Sequence, residues 1–85
     1  MSDPLSWYMI EPGWSVVDCD GDEAGKVAEV LGDTERDIFT GLVVAIAVFS
    51  APRYLPAENV TNIVEGFVQS DLTTPELDKL DEYEE

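Results

Sequence analysis

The clearest feature of the chain is the unbroken apolar run GLVVAIAVF, Gly41 to Phe49. Val43, Val44, Ile46 and Val48 are β-branched, and Gly41 and the Ser50-Ala51-Pro52 segment bound the run, so it predicts a strand rather than a helix. It is far shorter than the ~20 residues a membrane-spanning helix needs. Apolar residues occupy both parities, so both faces of this strand have to be covered. Elsewhere apolar positions come in short runs separated by turn chemistry, as in a small barrel or sandwich. Trp14, Val16 and Asp18 share one face, and Ser15 and Val17 the other. Asp20-Gly21 and Gly25 then precede KVAEVL, which predicts a hairpin with a bulged loop. GDTERD, residues 32–37, turns the chain again before Ile38. Arg53–Leu55 reads as a short strand, Pro56 as the opening of a single helical turn, and TNIV and FVQSDL as a last strand pair about Glu65-Gly66. Thr73 or Thr74 as N-cap, with Pro75 and Glu76 in the first turn, predicts a short closing helix.

Length and charge narrow the function classes. Eighty-five residues make one domain with a small core. Cys19 is the single cysteine and there is no histidine, which excludes an internal disulfide and a Cys/His zinc site and fits a reducing, cytoplasmic setting. Four Lys and Arg stand against 19 Asp and Glu, for a net charge of −15. Lys26, Arg36, Arg53 and Lys79 are scattered singly among acids, so neither a nucleic-acid backbone nor an anionic membrane is an expected partner. The opening MSDPLSWYMIEPGW has no basic stretch followed by a long apolar one, and does not read as a signal peptide.

DCDGDEAGKVAE, Asp18 to Glu29, places Asp18, Asp20, Asp22 and Glu29 at positions one, three, five and twelve of an EF-hand loop. Ala24, Val27, Ala28 and Leu31 would share one face of an exiting helix, which supports the calcium alternative. Against it, position six is Glu23 where the sharp turn wants glycine, and position eight is Gly25 where an apolar residue is usual. Only Gly13–Val17 lie between Pro12 and Asp18, too few for an entering helix. A solvated acidic hairpin with no metal ligand is therefore expected.

The order GWSVVDCDGDEAGKVAEVLGD, RYLPAENV, IVEGFVQSDLTTPEL resembles the PRC-barrel family, and its small stand-alone bacterial members in particular, from Ile10 to about Leu80. The matching positions are Gly13, Val16, Asp18, Asp20, Gly21, Gly25 and Val27, followed by Pro56, Ala57 and Val60. The resemblance implies a mostly β protein: a small barrel of short antiparallel strands over residues 13–72, preceded by an apolar segment (1–12) and followed by a short helix and acidic tail (73–85). It also implies a protein-contact role with no catalytic residue and no cofactor.

An enzyme is the least favoured reading. Without histidine Cys19 has no activating base, and Asp20, Asp22 and Glu23 push its thiol in the unreactive direction. The candidate partner surface is aromatic: Trp7, Tyr8 and Met9 ahead of the barrel, and Arg53 with Tyr54 after the apolar run. The expected function is a protein–protein adaptor of unidentified partner. A homodimer that covers the outer face of Leu42–Phe49, with Trp7 and Tyr8 taking part, is favoured over an intramolecular lid. The tail DKLDEYEE is expected to be solvated and partly frayed, with a docking site for a basic partner as the alternative.

Overall fold

Irregularities in the sheet decide how so few residues enclose a core. The computed structural model describes residues 7–33, 35–46 and 51–83. Its strands are β1 (Ser15–Val17), β2 (Glu23–Asp33), β3 (Ile38–Ala45), β4 (Arg53–Pro56), β5 (Val60–Val64) and β6 (Phe67–Ser70), followed by helix α1 (Thr74–Asp78). Short 3-10 turns cover Trp7–Met9 and Ala57–Asn59. In the β2–β3 ladder Val27 pairs with Val44 and Glu29 with Val43, leaving Ala28 as a bulge. Each bulge shifts the side-chain alternation by one. Val27 and Val30, three residues apart, thus both turn toward the core, opposite Val44 and Leu42. Thr40 on β3 and Thr61 on β5 are bulged in the same way, and the latter brings both Val60 and Ile63 to the inside. The 3.6-like spacing in KVAEVL is this re-phased strand.

The chain is mostly β, with one six-stranded sheet in the order β4-β3-β2-β1-β6-β5 and one short helix. Two features differ from the expected barrel. The sheet is not closed, since β4 and β5 are its edges, and β1 and β6 run parallel although every other pairing is antiparallel. Closure fails because β4 ends at Pro56, which has no N–H to continue a ladder, and the chain then turns through Ala57–Asn59 into β5. The β5–β6 hairpin consequently joins the sheet on the far side of β1.

Val16, Val27, Leu42, Val44, Leu55, Ile63, Val68 and Leu77 form the core, and they include the inward Val16, Val27 and Val68 that the pattern predicts. On the outer face of β3, Val43 is only 3% exposed within this single chain. Tyr54 pairs with Val43, and a Cβ on Gly41 would approach its ring to 2.9 Å. The two-sided covering expected of β3 is thus met at Val43 within a single chain. Val48 and Phe49 lie outside the described residues.

Thr73 is the N-cap of α1: its hydroxyl accepts from the Glu76 N–H and the Glu76 carboxylate accepts from the Thr73 N–H, a capping box. The helix delivers Leu77 into the core, fully buried. Up to Tyr83 the tail is held along β4. Tyr54 N–H donates to the Asp81 carbonyl (2.9 Å), Tyr83 N–H to Pro52 (2.8 Å), and Arg53 pairs with Glu82 across the edge of β4. An unpaired strand edge and a cation beside it outweigh the solubility of the acids.

Leu77→Ala should destabilise the fold by about 2–5 kcal/mol, the usual cost of emptying a fully buried leucine site. Urea denaturation checks it, and a loss under about 1 kcal/mol would show that α1 is not part of the core.

Candidate functional site

The acidic hairpin loop was the first candidate, and its leading residue is buried. Asp18 follows the inward Val16 by two positions, so alternation carries its carboxylate toward the core, where it is 3% exposed. A charge there needs partners. One carboxylate oxygen, Oδ1, accepts from the backbone N–H groups of Asp20 and Asp22, both at 2.9 Å. The other, Oδ2, accepts from the Thr74 hydroxyl at 2.6 Å. The Asp18 N–H donates to the Asp22 carbonyl, and the Asp18 carbonyl accepts from Gly21 N–H and from the Gln69 side-chain amide. Gly21 takes φ +88°, which favours glycine. Together these bonds hold the Asp18 carboxyl below its ordinary value, Thr74 first and the Asp22 N–H next.

This arrangement uses the carboxylate for the chain's own donors. The other EF-hand positions diverge: Asp20 and Asp22 are exposed, and Glu29 sits on β2 opposite Val43. Among the described residues no group of three or more His, Cys, Asp or Glu side chains is placed to hold a metal ion. Cys19 is exposed, and its thiol is pushed up by desolvation and then by the Asp20 and Asp18 carboxylates.

The aromatic candidates separate into two places. Trp7 stacks on Phe39 (5.4 Å, 10°) and presses on Gly32, where a Cβ would lie 2.8 Å from the indole. Its Nε1–H and the Tyr8 hydroxyl both donate to Asp37 Oδ1, at 3.1 and 2.6 Å. These bonds hold the Asp37 carboxyl low and raise the Tyr8 hydroxyl. Asp37 adopts φ +54°, a left-handed conformation that aspartate tolerates better than most residues. Tyr8 and Met9 remain exposed at 48% and 55%, and Ile38, next to Asp37, at 51%. Arg53 and Tyr54 lie on β4: Arg53 is half-buried and donates to the Leu80 carbonyl, and the Tyr54 hydroxyl donates to the Thr40 carbonyl.

Sequence reasoning missed Asp37 and Ile38 as neighbours of Trp7 and Tyr8. The only trace in the sequence is an aspartate closing the GDTERD turn, where a hairpin often places a left-handed residue. A family-model scan and a comparison with curated proteins both return no match to this chain.

Because the Asp18 carboxyl titrates lower folded than unfolded, the stability it contributes is complete above its ordinary value of 3.8 and is lost as pH falls through the lowered one. Asp18→Asn should therefore lower the urea midpoint at pH 7, and the gap to the native chain should narrow as pH drops below about 4. A gap that stays constant with pH would mean that the ionised carboxylate is not what stabilises the loop.

Proposed function

We propose that the chain is a PRC-barrel-like adaptor, a non-catalytic cytoplasmic domain that binds another protein. The observation that carries this reading is the patch at the β2–β3 tip. Tyr8, Met9 and Ile38 are each about half exposed: the Asp37 carboxylate that fixes Trp7 also holds Tyr8, Met9 follows Tyr8 in the same turn, and Ile38 follows Asp37. Large apolar side chains presented on a clamped scaffold suit a binding surface better than a mobile arm, because little ordering entropy remains to be lost on contact. The PRC-like order of glycines and valines supports the same role. Arg53 and Tyr54, tied to the C-terminal tail and to Thr40, serve the fold before any partner.

A photo-crosslinking residue in place of Met9 should give discrete heavier adducts in cells, reduced several-fold by Ile38→Asp, while the same residue in place of the exposed Asp78 gives none. An adduct of twice the chain's mass would identify the partner as a second copy. Equal adducts at both positions, or none at either, would remove the patch as the contact surface.

A further inference from the structure

The sheet covers one of its edges and leaves the other open. β4 is sealed by Asp81–Tyr83, whereas β5 is the last strand on the opposite side; the Ala57 carbonyl takes the Val60 N–H, and among the described residues no strand pairs with the rest of its outer edge. Across from β5, Ile38 and Phe39 lie beyond the end of β4, whose pairing with β3 begins at Gly41↔Pro56. Between them is a cleft of about 220 Å³ lined by Phe39, Ala57, Val60, Thr61, Asn62 and Ile63. The seam that keeps the barrel from closing thus has an unpaired strand edge on each side and an apolar floor.

Charge selects the occupant. Residues 54–78 contain no Lys or Arg, and Glu58 and Glu65 stand exposed at the two ends of β5. Asp37 precedes Ile38 on the other side of the cleft. A second copy, also at −15, would be repelled, whereas a cationic segment would be attracted.

We propose that this seam binds an extended, basic segment of a partner protein, which adds to β5 as a seventh strand, sets an apolar side chain against Phe39 and directs Lys or Arg toward Glu58 and Glu65. Backbone pairing supplies the affinity and alternate side chains the specificity. The bulge at Thr61 leaves only Asn62–Val64 in regular register, which discourages indiscriminate edge pairing and requires the charge match as well. The proposal rests on the protein-binding reading but is built on β5 and Phe39, and meets the Tyr8–Met9–Ile38 patch only at Ile38.

The probe is a blocked heptapeptide of alternating Lys and Val, long enough at about 3.3 Å per residue to overspan the five residues of β5. Titrated into the isotope-labelled full chain, it should shift and protect the backbone amide of Ile63, which faces away from β6, and shift that of Phe39. N-methylation of alternate peptide nitrogens, which preserves charge but removes donors, should weaken binding at least tenfold. The charge-reversed pair Glu58→Lys and Glu65→Lys should do the same while leaving the melting temperature within a few degrees. Equal binding of the methylated peptide, shifts spread over the acidic surface, or no saturation at millimolar concentration would each overturn the proposal. None of these results bears on crosslinking at Met9, and loss of the Met9 adducts leaves this titration unaffected.

Discussion

Buried Asp18 ties together the β1–β2 loop, strand β6 and helix α1. Its Oδ1 shapes the β1–β2 loop, its Oδ2 holds Thr74 in the first turn of α1, and the backbone carbonyl of the same residue accepts from Gln69 of β6. α1 in turn seats Leu77 in the core and leads into the segment that seals β4. A five-residue helix has no independent stability, so its placement has to come from such tertiary bonds. Removing the carboxylate would leave loop N–H groups and a hydroxyl without their acceptor at the point where strand, loop and helix meet.

A second constraint is curvature. An 11-residue strand such as β2 cannot lie flat over a core of this size, and the bulges at Ala28 and Thr40 bend the β2–β3 pair while keeping Val27, Val30, Leu42 and Val44 on the inside. The same hairpin ends in the Asp37 turn that fixes Trp7 over Phe39 and Gly32. Curvature brings the start of β3 opposite β5, but Pro56 prevents the ladder from continuing, and the result is a seam instead of a closed barrel. The fold and its proposed binding edge have the same origin.

Much of this was legible in the residues. Asp20-Gly21, Glu65-Gly66 and Thr73-x-x-Glu76 mark turns and a cap whose conformations depend on local chemistry, and each appears where expected. The β-branched run declares β3 because no other short element tolerates it as well. What was not legible depends on distant partners. KVAEVL shows a helix-like spacing because a bulge re-phases it, and a bulge is set by the facing strand. The parallel β1–β6 pairing and the open sheet follow from where the β5–β6 hairpin docks. Asp18 resembled a calcium ligand because an acid at the head of a turn serves either a metal or the turn's own N–H groups, and only its burial and the Thr74 bond distinguish them. Trp7 and Tyr8 lie outside the barrel pattern, yet Asp37, thirty residues from Trp7, gives no local sign of binding them.

The most direct test of this account is a double-mutant cycle between Asp18 and Thr74, comparing Asp18→Asn, Thr74→Val and the pair by urea denaturation at pH 7. If the carboxylate is the tie between loop and helix, the two substitutions are strongly non-additive, the coupling disappears as pH falls through the lowered value of the Asp18 carboxyl, and added calcium leaves it unchanged. Additive losses at pH 7, or a coupling that calcium abolishes by drawing Asp18 away from Thr74, would contradict it.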